Sequence, residues 1–305
     1  MYLFKIKLLF LARMLVLNGI LIFMKRIIMS NYCYFNGKIL PENDAHISLN
    51  DLGLLRSYGV FDSIKTYNGK PFLLEEHLSR FQHSAEEIGL RVPLSNEKIK
   101  KIISDLIKQN KLNNNIAIKL VLTGGESQDG VSCNFSAPTF FITVKQAPQH
   151  PVVVYQNGVK LITYQHQRNF PSAKTTEYLT FMPLQKRKKE LDAYEILYFN
   201  HGIILEGATS SIFFFKGDTL ITPKNNILIG ITQQFIVNLA KTDFKIEQRD
   251  IALGELSEMS EAFIASTMRE IVPVVKIDNL VFGNQQVGKN TKYLMQIFAE
   301  HVKNY

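Results

Sequence analysis

The chain has 305 residues, of which 46% are apolar and 20% charged, with 17 glycines and 10 prolines. This is the composition of an ordinary globular protein, and it excludes a mainly disordered, collagen-like or low-complexity chain. The two cysteines, Cys33 and Cys133, are too few for a disulfide framework and form no C-x-x-C pair. They therefore favour a reducing, cytoplasmic location and argue against a cysteine-based zinc site.

The net charge of +8 is unevenly distributed along the chain. Residues 1–29 contain five basic residues and no acidic one, which leaves a charge of only +3 for the rest of the chain. So small an excess on a large protein is not typical of nucleic-acid-binding proteins. We therefore expect no nucleic-acid partner.

Residues 1–29 are apolar and basic, and we expect them to lie outside the fold. Their longest uncharged run, Met14–Met24, has eleven residues, whereas a transmembrane helix needs about 17–25. No small-residue cleavage site of the A-x-A kind follows, as a secretory signal would require. Three interpretations stay open: a start codon placed too early, with Met24 or Met29 as the true start; an interfacial or weakly inserting helix; or an uncleaved or atypical signal. We expect no membrane partner for the folded part.

Residues 30–145 are predicted to form a small α+β domain. Asn36-Gly37 marks a hairpin turn within Tyr32–Ile39, and Val60–Tyr67 alternates between apolar and polar residues as a half-buried strand does. The other predicted elements are two helices, Leu74–Gly89 and Asn96–Gln109, and two strands, Ile116–Thr123 and Thr139–Val144.

Residues 146–151 (QAPQHP) contain two prolines and no periodicity, so they are predicted to be a linker. Residues 152–305 are predicted to form a larger, strand-rich domain with helices inserted between strands. Its predicted strands are Val152–Val154, Val159–Tyr164, Glu195–Phe199, Ile203–Leu205, Ser211–Phe215, Leu220–Thr222 and Glu261–Ala265, and its predicted helices are Glu177–Leu191, Thr232–Ala240 and Thr291–Lys303.

Common catalytic motifs are absent from the sequence. It has no G-x-S-x-G, P-loop or G-x-G-x-x-G motif and no metal-binding histidine pair, so hydrolase, P-loop and dinucleotide-binding functions are not supported and no metal is expected. Five other segments stand out by their order along the chain. They are Glu76–Arg80, Ser172–Leu179, Leu205–Phe213, Gly230–Thr232 and Ala265–Thr267 followed by Val272–Val274.

In order and spacing these segments resemble the class IV (fold type IV) pyridoxal-phosphate aminotransferases, and the resemblance extends from about Tyr32 to Phe298. It implies a two-domain α+β fold like that of D-amino-acid aminotransferase, with pyridoxal 5′-phosphate in the cleft between the domains. It also implies a homodimer that moves an amino group between an amino acid and a 2-oxo acid.

The resemblance assigns three residues to the reactive part of the cofactor. Lys174 matches the family lysine that forms a Schiff base with the cofactor aldehyde and later moves the α-proton. Glu206 follows a predicted strand and matches the carboxylate that keeps the pyridine nitrogen protonated. Tyr178 matches the tyrosine that hydrogen-bonds the phenolic oxygen, although Glu177 precedes it where branched-chain enzymes often have asparagine.

Three further segments match the family's phosphate contacts. Ile231 and Thr232 follow Gly230 at a predicted helix start, where free N–H groups and the helix dipole favour an anion. Ser266 and Thr267 match a second phosphate contact. Arg80, on the first long helix, matches the family arginine that can form a charge-assisted bond.

Substrate recognition is less well specified by the sequence. Lys119 lies where branched-chain enzymes have an arginine for the substrate carboxylate, and a lysine lacks the bidentate geometry of that arginine. Arg56 and Arg269 are alternative carboxylate ligands, and Phe61 is a further expected substrate contact. An arginine typical of the D-amino-acid enzymes is missing after Thr123. The sequence favours branched-chain-like or general L-amino-acid transamination, with D-amino-acid transamination and 4-amino-4-deoxychorismate lyase activity as alternatives.

Overall fold

The computed structural model describes residues 31–305. The interpretations of residues 1–29 therefore concern a segment outside the described residues. Within 31–305, no helix is both long and apolar enough to cross a bilayer. The described chain forms two β-sheets, one of six strands and one of ten, and helices pack on both.

The six-stranded sheet is built from the first half of the chain. Its strands are β1 (Tyr32–Phe35), β2 (Lys38–Pro41), β3 (Gly59–Tyr67), β4 (Lys70–Pro71), β5 (Ile116–Thr123) and β6 (Thr139–Gln146), and its helices are α1 (Leu52–Arg56), α2 (Leu74–Glu87) and α3 (Asn96–Gln109). The spatial order of the strands is β2-β1-β6-β5-β3-β4. The hairpin at Asn36-Gly37 is confirmed, since both residues have the positive φ of a type I′ turn.

The apolar stripes of α2 and α3 form the core of this first unit. Phe81 of α2 and Ile103 of α3 are buried against Ile118 of the sheet. Strand β3 alternates as predicted, and its buried face carries Asp62 among apolar neighbours. Phe61 and the other half-buried residues of β3 project from the opposite face.

The ten-stranded sheet is built from the second half of the chain. Its strands are β7 (Val159–Gln165), β8 (Glu195–Asn200), β9 (Ile203–Gly207), β10 (Ser211–Lys216), β11 (Thr219–Thr222), β12 (Lys245–Gln248), β13 (Ile251–Ala252), β14 (Glu261–Ser266), β15 (Glu270–Ile277) and β16 (Leu280–Val281). The main order is β12-β11-β10-β14-β15-β7-β8-β9-β13, with β16 paired to β15. The helices of this half are α4 (Val152–Asn157), α5 (Phe181–Glu190), α6 (Ile231–Ala240) and α7 (Lys289–Lys303).

Strand β10 shows why the central strands of this sheet are almost continuously apolar. Phe213 packs in the cluster that contains α6 and α7, whereas Phe214 packs in a second cluster that contains Ile251 and Phe282. Both faces of the strand are therefore covered, and a strand covered on both faces needs no polar alternation.

The two units meet along the first residues of β3. Strand β4 pairs only with the last two residues of β3, so the beginning of β3 has a free edge on that side. The segment 174–176 occupies this edge: Phe61 N–H donates to the Lys174 carbonyl (3.0 Å), and Thr176 N–H donates to the Gly59 carbonyl (2.8 Å). Backbone hydrogen bonds therefore fix Lys174 against the first sheet, although it belongs to the second half of the chain.

The predicted strand Val152–Val154 is wrong, because these residues form the first turn of α4. Val152 and Val153 are 66% and 52% exposed, so they do not belong to the packed interior of either sheet. Pro151 precedes the helix and Gly158, with φ of 72°, ends it. A run of three apolar residues is too short to distinguish a strand from a helical turn by periodicity.

Two further boundaries differ from the predictions. The helix expected from Glu177 begins at Phe181, because Pro183 has no N–H and is tolerated only in the first turn of a helix. The predicted linker begins inside β6, since Gln146 pairs with Ile116.

Candidate active site

A cleft opens where the two units meet. It is lined by one residue of α2, the segment 166–181, the β9–β10 connection, the start of α6 and the β14–β15 turn. Eight residues predicted from the sequence lie in its wall: Arg80, Lys174, Tyr178, Glu206, Ile231, Thr232, Ser266 and Thr267. Residues from five separate parts of the chain thus converge on one cleft.

Lys174 is held in the cleft by contacts from the first unit. Its backbone N–H donates to Ser84 Oγ of α2 (3.0 Å), and its Nζ lies 4.8 Å from the centre of the Phe61 ring. Burial and, second to it, the nearby Arg80 charge lower the pKa of the Lys174 ammonium to about 8, while Asp62 opposes the decrease. About a tenth of this amine is therefore unprotonated at pH 7 and available as a nucleophile or base, far more than for an ordinary lysine.

Asp62 and His77, which the sequence analysis missed, hold Arg80 in place. Arg80 donates from Nε to Asp62 Oδ2 (2.9 Å) and from Nη2 to Oδ1 (2.8 Å), and His77 Nδ1 lies 2.8 Å from Oδ1. Burial acts to raise the pKa of Asp62, but the charges and hydrogen bonds of Arg80 and His77 outweigh it and hold the pKa well below its usual range. Asp62 is therefore ionised, and an ionised carboxylate only accepts, so His77 Nδ1 carries the donated proton.

Arg168 is a third residue that the sequence analysis missed. It donates from Nε to Glu206 Oε1 (2.8 Å), and Leu228 N–H donates to Oε2 (3.2 Å). The Nη1 and Nη2 groups of Arg168 donate to backbone carbonyls just before Lys174, including that of Ala173 (2.7 Å). Arg168 therefore joins the lysine-bearing segment to Glu206.

Glu206 differs from Asp62 in the balance between burial and charge. Burial raises the pKa of the Glu206 carboxyl, and the single Arg168 guanidinium compensates for it only in part. Tyr178 also lines the cleft, and burial raises the pKa of its phenol. The Tyr178 hydroxyl therefore keeps its proton and can act as a hydrogen-bond donor.

The start of α6 forms a wall of the cleft suited to an anion. The first N–H groups of a helix have no partners within it, and the dipole places partial positive charge there. Gly230 permits a close approach at this point, since an added Cβ would lie 2.7 Å from Ser211 Oγ. Leu228, bonded to Glu206, is three residues before Ile231. A short segment therefore fixes the carboxylate relative to the helix start.

Phe61 and Lys119 lie next to this cleft but not in its wall. Lys119 is exposed on β5, and its Nζ lies 5.3 Å from the centre of the Phe61 ring, which Lys174 also contacts. The Phe61 ring is 6.0 Å from that of Tyr178. The Phe61 ring is therefore a common neighbour of the ammonium groups of Lys119 and Lys174.

The other two predicted carboxylate ligands, Arg56 and Arg269, do not line the cleft. Arg269 uses its guanidinium within the protein: Nε donates to Ser266 Oγ (3.0 Å), Nη1 to Glu195 (3.1 Å) and Nη2 to Thr209 (2.7 Å). Arg56 is exposed at the end of α1, and its Nη1 donates to the neighbouring Leu55 carbonyl (2.8 Å). Over residues 31–305 no cluster of three or more potential metal ligands occurs.

Comparison with known proteins gives one consistent family. Residues 59–277 match the sequence profile described as Amino-transferase class IV. The chain is 33% identical to a putative branched-chain-amino-acid aminotransferase of Methanocaldococcus jannaschii, over 88% of this chain and 95% of that protein. It is 29% identical to the aminodeoxychorismate lyase of Bacillus subtilis, over 89% and 94% of the two chains. It is 28% identical to the D-alanine aminotransferase of Bacillus licheniformis, over 85% and 92%.

Solved structures share the fold. The branched-chain amino acid aminotransferase of Escherichia coli superimposes with a TM-score of 0.84 at 24% identity, over 90% of this chain and 95% of that one. The corresponding T.th. enzyme, solved with pyridoxamine 5′-phosphate, has a TM-score of 0.82 at 20% identity over the same shares.

Proposed function

Since the chain belongs to the class IV aminotransferase family, a family of pyridoxal-phosphate-dependent transaminases, we propose that it moves an amino group between an L-amino acid and a 2-oxo acid with Lys174 as the covalent anchor of the cofactor. We favour branched-chain-like or general L-amino acids as substrates. The observation that carries the proposal is the convergence of Lys174, Glu206, Arg80 and the start of α6 on one cleft.

The cleft offers a partner for each polar part of pyridoxal 5′-phosphate. Lys174 suits the aldehyde, Glu206 the ring nitrogen, and the start of α6 with Arg80 the phosphate. Ser210 lines the cleft, and its buried Oγ has no hydrogen-bond partner among the described residues. At Gly207 an added Cβ would lie 2.2 Å from that Oγ, so glycine at this position leaves room for the Ser210 hydroxyl in the cleft wall.

When bound, the cofactor would supply the electron sink that makes loss of the substrate α-proton feasible. Lys174 Nζ would take that proton and return it, and its pKa of about 8 suits both steps because a general base works best near the ambient pH. Glu206 would hold a proton on the ring nitrogen, and Tyr178 would donate its hydroxyl proton to the phenolic oxygen. Thr232, Ser266 and Thr267 would fix the phosphate.

A half-reaction screen tests this function. The purified protein, loaded with pyridoxal 5′-phosphate, is mixed with single amino acids while the cofactor absorbance is followed. We expect conversion with L-amino acids, branched-chain ones included, and none with their D-isomers. Conversion with D-isomers alone would favour D-amino-acid transamination, and release of pyruvate from 4-amino-4-deoxychorismate would favour the lyase.

We propose Lys119 as the ligand of the substrate carboxylate. Its ammonium shares the Phe61 ring with Lys174, so the two cations are no further apart than the sum of the two distances to that ring. Phe61 would form the apolar wall between the reacting lysine and the carboxylate. Arg56 and Arg269 are less suitable, because neither offers a free guanidinium to the cleft.

We infer that the protein is a homodimer. Four large apolar side chains, on residues 49–55 and on the β5–β6 connection, are 63–82% exposed: Leu49, Leu54, Val131 and Phe135. The two segments are neighbours, since a Cβ at Gly130 would lie 3.6 Å from Leu55. Light scattering on the eluted protein should give twice the chain mass, and Leu54→Glu should shift it towards the monomer. A monomeric wild type would contradict the inference.

We also propose a domain division at residues 146–151, with residues 30–145 and 152–305 as the two domains. One buried apolar cluster, around Phe81, lies wholly within the first unit, and another, around Phe214, lies wholly within the second. Limited proteolysis that cuts first within 146–151 would support the division.

We also propose a cytoplasmic location. Cys33 and Cys133 are both free, which supports it.

A further inference from the structure

Glu270 has an unusual backbone conformation at the edge of the cleft. It is the first residue of β15 and has a φ of 59°, in the left-handed region that glycine and asparagine favour. It directly follows a tight turn in which Arg269 N–H donates to the Ser266 carbonyl (3.2 Å), and it pairs across the strands with Ser266. A long charged side chain in this position needs contacts that compensate for the strain.

The compensating contacts come from the first unit. Glu270 Oε1 accepts from Lys65 Nζ (2.6 Å) and from the Tyr67 hydroxyl (2.8 Å). Lys65 and Tyr67 belong to the face of β3 that is not in the core of the first sheet. We call these three residues the Glu270 clamp. It links β3 of one sheet to β15 of the other, and it is only partly exposed to solvent.

The turn that Glu270 closes supplies Ser266 and Thr267 to the cleft. Its other side is held by the second unit, because Arg269 bonds to Glu195 and to Thr209. Adjacent residues of one turn are therefore tied to different units, Arg269 to the ten-stranded sheet and Glu270 to the six-stranded sheet. The position of Ser266 and Thr267 depends on how the two units are docked.

We propose that the Glu270 clamp is a positioning device that holds Ser266 and Thr267 in the geometry that binds the cofactor phosphate. It couples phosphate binding to the docking of the two sheets. The inference rests on the proposed function, since it requires that the anion bound in this cleft is the phosphate of pyridoxal 5′-phosphate.

The test compares the affinities of the apoenzyme for pyridoxal 5′-phosphate and for pyridoxal, measured by equilibrium dialysis. Both ligands carry the aldehyde. The affinity for pyridoxal 5′-phosphate divided by the affinity for pyridoxal therefore measures the contribution of the phosphate. Glu270→Gly permits the left-handed backbone but removes the clamp, and Lys65→Met removes its cation. We expect each variant to lower the ratio by about tenfold, as the loss of one to two hydrogen bonds would. The double variant should lower it no further than either single one.

His201→Gly is the matched control. His201 also has a positive φ, 47°, but lies in the exposed turn between β8 and β9, away from the clamp. Relief of backbone strain there should leave the affinity ratio at its wild-type value. Glu270→Gln, which keeps the shape and can still accept the two hydrogen bonds, should restore part of the ratio lost in Glu270→Gly.

Three results would overturn the proposal. If the Glu270→Gly ratio equals that of the wild type, the clamp does not position the turn. If both affinities fall equally together with the melting temperature, the clamp only stabilises the fold. If the wild type binds the two ligands equally, the assignment of a phosphate site in the proposed function fails as well. The first two results leave that assignment intact.

Discussion

Two ion pairs, one from each unit, flank Lys174, and they differ in what their carboxylates can do. Asp62 of the first unit receives two bonds from Arg80 and one from His77, and its pKa lies well below the usual range. Glu206 of the second unit receives one bond from Arg168 and one from a backbone N–H, and its pKa is raised. The number of hydrogen bonds that the carboxylate accepts, set against a similar burial, decides the direction of the shift.

This difference suits the two carboxylates to different tasks: Asp62 to holding a neighbouring side chain and Glu206 to exchanging a proton. Asp62 stays ionised throughout the physiological range, so its task is to orient Arg80. Glu206 has a pKa closer to neutrality, which suits a group that shares a proton with a ring nitrogen. Lys174 lies between the two pairs. Within each pair the cation lowers the pKa of the Lys174 amine and the carboxylate raises it, so burial is the main cause of its lowered pKa.

Removal of the amine that both pairs surround should have the largest effect. In Lys174→Ala the covalent anchor and the proton-transferring base are lost together, and base catalysis alone contributes roughly 10²–10⁴-fold. We expect turnover to fall by at least that factor, while the cofactor is still retained through the phosphate site. Steady-state rates and dialysis measure the two effects. Near-wild-type turnover would eliminate Lys174 as the catalytic group.

The next largest effect should come from breaking the pair of the first unit. Asp62→Asn leaves the Arg80 charge without a counterion, and loss of one partner of a buried ion pair costs roughly 3–5 kcal/mol. Urea unfolding of the apoenzyme measures this loss of the free energy of unfolding. Arg80→Met in the same background removes the orphaned charge and should recover part of it.

The loss of stability at acid pH is a second test of the state of Asp62. The pKa of Asp62 is lower in the folded than in the unfolded state, so its contribution to stability is complete above the unfolded value of about 4 and is lost as the pH falls below it. The wild type should therefore lose stability below about pH 4 more steeply than Asp62→Asn. Parallel profiles would show that Asp62 is not ionised in the fold.

Breaking the pair of the second unit should affect chemistry more than stability. Glu206→Gln is nearly isosteric and can still accept from Arg168, but it no longer favours a protonated ring nitrogen. We expect substrate deprotonation in single-turnover experiments to slow by about a hundredfold, the scale of losing one preorganised electrostatic contact. Urea unfolding should show a smaller change than in Asp62→Asn. A wild-type deprotonation rate would exclude Glu206 as the partner of the ring nitrogen.

The smallest effect is expected at Lys119, the cation outside both pairs. Because it is exposed, the charge-assisted bond to a substrate carboxylate should contribute about 1.5 kcal/mol, or about tenfold in kcat/KM. Lys119→Met keeps the stem and removes this charge. The decrease should be confined to substrates with an α-carboxylate, and an amine without one is the control. Equal decreases for both kinds of substrate would contradict the proposed contact.

The predicted fold type and enzyme class are confirmed by the family to which the chain belongs and by the solved structures that share its fold. The amphipathic helices and the Asn36-Gly37 hairpin were predictable because their signals lie within a few residues of each other. The chemistry-bearing segments were likewise local: Lys174 lies beside two threonines, and Gly230-Ile231-Thr232 opens a helix. The order of these segments carried the resemblance to the family, and the resemblance implied which residues share a cleft.

The partners of those residues were decided by the tertiary structure alone. Arg168 and Glu206 are 38 residues apart, and Asp62 and Arg80 are 18 apart on different elements. The guanidinium of Arg269 is used by Glu195, 74 residues earlier, which no local pattern indicates. A side chain's pKa and free donors depend on what packing brings within a few ångströms of it. Sequence determines the chemical groups that are available, and packing determines which of them remain free to react.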